Sequence, residues 1–485
     1  MTAAPAGGGR SRSDGTGRPG RTGAKRGASP ARSGRTPTAP PGTTARALAI
    51  EAIVRVEAGA YSNLVLPGLL RASGLDGRDR ALVTDFVYGT LRQQGQVDHL
   101  LAQASHRPLP ELDAPVRAAL RLGAYQLLAG VAPHAAVSAT VGAVAGWSSP
   151  ASVRRAAPYA NAVLRRVADL GPPWPWPGGD DADAVAVRTS HPRWIVDLLR
   201  RDLGGAAEAV LASANEPPVV TLRPNPLRTT PEALALELSA EDEPAHVQRG
   251  RLVPHALLVR GVGDLARLPA VAEGRATPQD EASQAVAAAV NAQPGDRILD
   301  MAAAPGGKST ALAEAMGDDG LVVAADVNPG RAVRVSEAAH RLGLRAVQVV
   351  AADTRRLPFG EAAGLFDRVL LDAPCSGLGV LRRRPEARWR LDPSDIGRLA
   401  GLQRALLASA VASVRPGGLV AYSVCTLSRE ETVGIDAWAG KTFPHLSAVP
   451  PPGEPWKPHG RGALLLPTAA GTDGMFLLLL AAPRP

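Results

Sequence analysis

Cysteine is nearly absent: the 485 residues hold two, Cys375 and Cys425. Two cysteines cannot build a disulfide framework. Neither belongs to a CxxC pair or a Cys/His cluster, so no metal is expected, and a reducing compartment such as the cytoplasm fits. Long apolar runs are lacking too. The chain opens without the charged and apolar segments of a secretory signal, and GMFLLLLAAP (Gly474–Pro483) is far too short to span a bilayer, so no membrane association is expected. No repeat recurs at solenoid spacing, and the nine histidines are scattered and none is assigned to catalysis.

Charge is unevenly placed. Of a net +9, residues 1–40 contribute eight Arg or Lys against one acid, Asp14, which leaves the body nearly neutral. Residues 1–43 are rich in Gly, Ser, Pro, Thr and Arg and have too little apolar surface to fold. They read as a disordered basic tail, either an electrostatic arm for nucleic acid or a dispensable extension. The length implies about three domains. Residues 44–170 are helical in pattern: TTARALAIEAIVRVEAGAY begins on a capping threonine and sets Ala49, Ile53, Val56 and Ala60 on one face. GPPWPWPGGDDADA breaks all periodicity and marks a linker over residues 171–185. Residues 186–275 mix helices with a short strand in VVTLRP, a small α+β connecting module.

From residue 276 to 485 strand-like runs alternate with helices: RILDM, GLVVAADV, AVQVVAAD, FDRVLLDAP, GGLVAYSV and GMFLLLLA. This predicts an α/β Rossmann-like domain with a doubly wound parallel sheet, whose ligands bind beyond the carboxyl ends of the strands. Asp300, Asp326, Asp353, Asp372 and Cys425 all fall at such ends.

LDMAAAPGGKST is a strand, a turn of small residues and a helix, so a ligand can approach backbone N–H groups at the helix start. An ATP-binding P-loop would need Gly where Ala302 stands, and the dinucleotide GxGxxG is absent. Asp326 lies 19 residues beyond Gly307, where an acid binds a ribose hydroxyl pair. Asp353 can accept from an adenine amino group. Two acids without a further cation favour S-adenosylmethionine over NAD or ATP. Any one of these aspartates alone could be a helix cap; three in succession at strand ends are harder to explain so.

The two cysteines could be buried small hydrophobes, yet both are expected at the active edge of the sheet. A thiolate is a strong nucleophile, and pyrimidine carbon 5 becomes nucleophilic only after a thiolate adds to carbon 6. DAPC also lacks the aromatic residue that amino-group methyltransferases typically place after the proline.

Taken together, LDMAAAPGGKST, AADVNP, AADTRRLP, FDRVLLDAPCSGLGVLRRRPEARW and YSVCTLSREE resemble the Sun-type RNA cytosine-5 methyltransferases. RDRALVTDFVYGTLR, LRLGAYQLL and ANAVLRR resemble the NusB-like helical RNA-binding domain of its bacterial rRNA-modifying branch, and TLRPNPLRT and QDEASQ resemble its connecting segments. The resemblance implies a multidomain methyltransferase acting on cytosine of small-subunit (16S) rRNA, with RNA as its partner, as a monomer. Ala302, Ala303, Ala304, Pro305, Gly306, Gly307 and Lys308 would hold S-adenosylmethionine. Asp326 would take the ribose, Asp353 the adenine region, and Asp372 would sit near the methionine end and the cytosine. Cys425 would be the nucleophile, and Cys375 would assist loss of the carbon 5 proton and product release. Arg382, Arg383, Arg384 and Trp389 would contact RNA. Ala302 and Val424 depart from the family's common Cys and Thr. A vestigial domain serving RNA binding or assembly, and tRNA as substrate, are the competing readings.

Overall fold

The computed structural model describes residues 43–146, 153, 155–240, 245–263, 265–356 and 364–484. The expected basic tail therefore lies outside the described residues but for Thr43. Helices Thr43–Glu57, Ser62–Ala72, Gly77–Arg92, Gln94–Ala104, Ala114–Leu128, Pro133–Ala145 and Ala157–Asp169 gather around one apolar core. Ala49, Ile53 and Val56 face it as expected, but Ala60 is only half-buried. The helix stops at Glu57, and Gly59 takes φ +106, a left-handed turn that carries Ala60 off the stripe. Two helix crossings are close enough to require glycine. A Cβ on Gly89 would lie 2.0 Å from Tyr125 Cζ, and one on Gly123 would lie 2.5 Å from Leu164 Cδ1.

The aperiodic stretch after residue 170 is packed against its neighbours. Trp174 and Trp176 rest on the helical core, and Arg188 donates to the carbonyls of Pro177 (2.8 Å) and Gly179 (2.7 Å). A helix begins at Ala182, capped by the Asp181 carboxylate. It and the helices Arg193–Leu203 and Ala207–Ser213 share an apolar cluster with the large sheet. A separate small sheet follows, with strands β1 (Val220–Pro224), β2 (His246–Arg249), β3 (Leu257–Arg260) and β4 (Ala276–Pro278). Its order is β2-β3-β1-β4, and its pairings are antiparallel.

The large sheet contains β5 (Arg297–Asp300), β6 (Leu321–Asp326), β7 (Val347–Ala351), β8 (Phe366–Asp372) and β9 (Val414–Val424), all mutually parallel in the order β7-β6-β5-β8-β9. The sheet is not parallel throughout. β10 (Ser447–Val449), β11 (Lys457–His459), β12 (Gly462–Leu465) and β13 (Met475–Ala481) extend it antiparallel beyond β9. GMFLLLLA supplies that first antiparallel strand, its apolar run buried nearly throughout, with Phe476 opposite Val424. The chain leaves β5 toward β6 on one side, while β8 lies on the other. The cleft above the ends of β5 and β8 is thus the topological switch point, where α/β sheets bind ligands.

Candidate active site

At that switch point β5 ends on Asp300, the turn of residues 301–306 follows, and the helix Gly307–Ala315 begins. Gly306 has φ +103, and a Cβ there would meet Val335 Cα at 3.1 Å, so the turn needs glycine on both counts. Asp300 is buried. Its Oδ2 accepts from Ser309 Oγ at 2.6 Å, while Oδ1 has no hydrogen-bond partner among the described residues. Burial pushes its carboxyl up to about 6, against the Ser309 hydrogen bond. Lys308 Nζ reaches Asp372 Oδ2 at 2.6 Å. Burial opposes the Lys308 charge, but Asp372, Cys425 and Asp300 together raise its pKa.

One cavity gathers most of the expected cofactor residues. Ala302, Ala303, Ala304, Pro305, Gly307, Lys308 and Asp372 line it together with Asp300, and Pro278, Gln279 and Ser283 form the facing wall. Asp326, buried at the end of β6, joins through Ala304, whose N–H donates to Oδ2 at 3.3 Å. Arg331 approaches the same oxygen at 3.3 Å, and Asn328 N–H donates to Oδ1 at 2.9 Å. Asp353 stands apart, two residues beyond the end of β7 and paired with Arg355 at 2.6 Å. That pairing holds its carboxyl down to about 2. A small-residue cradle, a carboxylate oxygen without a donor and a second buried acid suit a nucleoside bearing a cationic amino-acid end. They do not suit a phosphate chain, because the lysine of the turn is already paired with Asp372.

The two thiols follow adjacent strands, Cys375 after β8 and Cys425 after β9, and their sulfurs are 3.3 Å apart. Both side chains are partly exposed. The hydrogen bond to Cys425, then burial, then the charges of Cys425, Glu431 and Asp372 hold the Cys375 thiol well above its ordinary range. Gly379 N–H donates to the Cys425 carbonyl at 3.0 Å, fixing the turn after β9.

Beneath the cysteines lies a residue that sequence reasoning passed over. Glu431, with no exposed surface, accepts from Ser376 N–H (2.9 Å), Ser376 Oγ (2.5 Å), Thr426 Oγ1 (3.1 Å), Ser428 Oγ (2.8 Å) and Gln403 Nε2 (3.0 Å). It ties the residue after Cys375 to the residue after Cys425. Its only signal was a carboxylate six positions past a cysteine.

The segment LRRRPEARWR turns mostly inward. Arg382 donates to the Gly471 carbonyl, and Arg383 pairs with Asp280 (2.6 Å) and Asp473 (2.9 Å). Trp389 lies against Gly95. Arg388, fully buried, donates to Ser190 O, Ala214 O and Asn215 Oδ1. Glu386 accepts from Ser62 N–H and Oγ, and Arg390 donates to Val56 O and Ala60 O of the helical domain. Of the four residues read as RNA contacts, Arg382, Arg383 and Trp389 are committed inside the chain, and Arg384 is the exposed one.

Comparison with known proteins agrees with this architecture. Residues 287–481 match the family described as 16S rRNA methyltransferase RsmB/F, residues 43–169 the NusB family, and residues 191–265 the RsmF/B-like ferredoxin-like domain. Ribosomal RNA small subunit methyltransferase B of Pseudomonas putida is 36% identical over 448 residues, which cover 90% of this chain and 99% of that protein. A Mycobacterium tuberculosis protein named as a methyltransferase is 40% identical over 464 residues, covering 90% of this chain and 96% of that one. Among solved structures, that of PH0851 superposes with a TM-score of 0.79 at 27% identity, covering 91% of this chain and 98% of the other. On this extent of likeness over all three domains, the chain belongs to the RsmB/F family of 16S rRNA methyltransferases.

Proposed function

We propose that the protein methylates carbon 5 of a cytosine in 16S rRNA, through a covalent bond between Cys425 and the base. The observation that carries this reading is the pair of sulfurs 3.3 Å apart at the ends of adjoining strands, beside the Lys308–Asp372 pair. S-adenosylmethionine, held by the turn 302–308 with Asp326 and, beyond β7, Asp353, supplies when bound a methyl group on a sulfonium. The remaining work belongs to the chain. Cys425 as thiolate adds to carbon 6 of the cytosine; the carbon 5–carbon 6 π pair moves onto carbon 5 and makes it the nucleophile. In this reading Asp372 faces the base, while Lys308 beside it, 2.6 Å from its Oδ2, balances negative charge. After methylation carbon 5 still carries its proton. Cys375 assists removal of that proton, and the electron pair left behind expels the Cys425 sulfur from carbon 6. Arg384 remains as the exposed candidate for an RNA contact.

The test is a pair of substitutions with labelled S-adenosylmethionine and unmodified 16S rRNA. Cys425→Ala abolishes labelling and forms no adduct, whereas Cys375→Ala accumulates a covalent protein–RNA species that survives denaturing electrophoresis. An adduct with Cys425→Ala instead would exchange the two roles, and label outside cytosine would end the reading.

A further inference from the structure

The cavity's facing wall lies outside all the stretches matched by the family models: Pro278, Gln279 and Ser283 fall between residues 265 and 287. Gln279 follows β4 of the small sheet, and its amide sits over the first residue of the cofactor helix. A Cβ on Gly307 would meet Gln279 Nε2 at 3.4 Å. Which end of that amide faces the cavity is fixed by Arg223 on β1. Arg223, 3% exposed, donates to Gln279 Oε1, to the Gly307 carbonyl (2.6 Å) and to Thr310 Oγ1 (2.9 Å), and forms a two-pronged pair with Glu314 (2.8 and 3.0 Å). Guanidinium has no acceptor, so the glutamine oxygen must turn toward it and the NH₂ group away. One amide hydrogen then reaches Ser283 Oγ at 3.3 Å, and the other is left for the cavity.

The cavity lining thereby offers both kinds of group: acceptors in Asp300 Oδ1, which has no donor among the described residues, and Asp372, and donors in the N–H of Gln279 and the hydroxyl of Ser283. That is the complement of an α-amino acid zwitterion, with its ammonium and its carboxylate. We propose that Gln279 binds the carboxylate at the amino-acid end of the cofactor, and that Arg223 is the positioning residue that aims it. The small sheet thus completes the cofactor site. This rests on the S-adenosylmethionine reading above and adds a ligand to it.

Calorimetric titration of the full chain with S-adenosylhomocysteine and with 5′-methylthioadenosine, which lacks the amino-acid end, separates the possibilities. A hydrogen bond to a charged group is worth enough that Gln279→Ala weakens S-adenosylhomocysteine binding by about tenfold, while methylthioadenosine binding is unchanged. Arg223→Lys keeps a cation for Glu314 but cannot hold all its partners. It weakens S-adenosylhomocysteine binding similarly and adds little to Gln279→Ala in the double variant. Gln279→Asn, which keeps the amide but withdraws it by one methylene, gives the same selective loss if the alanine variant fails to fold. Unchanged S-adenosylhomocysteine affinity, or an equal loss for both ligands, overturns the assignment of Gln279, and additive losses overturn the role of Arg223. No binding of S-adenosylhomocysteine to the unaltered chain overturns the methyltransferase reading itself.

Discussion

Asp300 shows what one unsatisfied atom implies. A buried carboxylate with a free oxygen is costly, and burial has already pushed its carboxyl up to about 6. The groups around it are Ser309, Lys308 and Asp372. Because its folded pKa lies above the unfolded value, ionising it costs stability. Relative to Asp300→Asn, the unliganded protein should lose stability as pH rises from about 4 to 6. A cationic ammonium reverses the sign. Affinity for S-adenosylhomocysteine should increase about tenfold from pH 5 to pH 7 in calorimetry, and Asp300→Asn should flatten that rise. Glu431 is the opposite case, a buried carboxylate surrounded by donors. Glu431→Ala strands several buried donors, with a loss on the order of 3 kcal/mol in urea unfolding. Adduct formation with Cys375→Ala as background should slow more than S-adenosylhomocysteine binding weakens. The cysteines were legible from rarity and placement, and the glycine turn from the types of residue it contains. Glu431 was not, because a sequence shows a charge without showing the hydroxyls and amides that fold around it.

At the scale of elements, the parallel strands were legible because each is a short apolar run bounded by small or polar residues. The antiparallel edge was not: β10, β11 and β12 span three or four residues each, too few to show a period, and a buried apolar run such as β13 carries no mark of direction. The packing of the linker was not legible for a related reason. Absence of periodicity says nothing of Trp174 and Trp176 finding a surface to cover. LRRRPEARWR is the clearest case. Its charges suggest a solvated or RNA-facing segment, yet Arg388 joins the segments around Ser190 and Ala214 to the catalytic domain through carbonyl oxygens. Arg388→Met leaves those oxygens without a donor. Urea unfolding should show a loss of about 3 kcal/mol, and calorimetry should show the segments around Ser190 and Ala214 melting separately from the sheet. A volume change has a different signature. Gly89→Ala drives a methyl into the Tyr125 ring and should cost about 1–3 kcal/mol without splitting the transition.

For the molecule as a whole, the question is how a nearly neutral body holds a polyanion. Many body arginines are already engaged: Arg117 and Arg121 with Glu57, Arg201 with Asp202 and Glu430, Arg368 with Asp296. The helical domain is docked on the catalytic domain through Glu386–Ser62 and Arg390–Val56. The unbalanced positive charge is concentrated in residues 1–40, with eight Arg or Lys and one acid. Each phosphate contact a cation makes contributes roughly 0.7–0.9 to the slope of log affinity against log salt. Deleting residues 1–42 should therefore lower that slope by several units, as measured by binding to 16S rRNA across a salt series. Affinity should fall most at low salt and converge with the full chain at high salt, where screening removes the difference. Methylation at saturating RNA should be unchanged, because no residue of the cavity or the cysteine pair is touched. An unchanged slope would mean that the electrostatic grip comes from the folded surface, with exposed residues such as Arg384 the first to be tested.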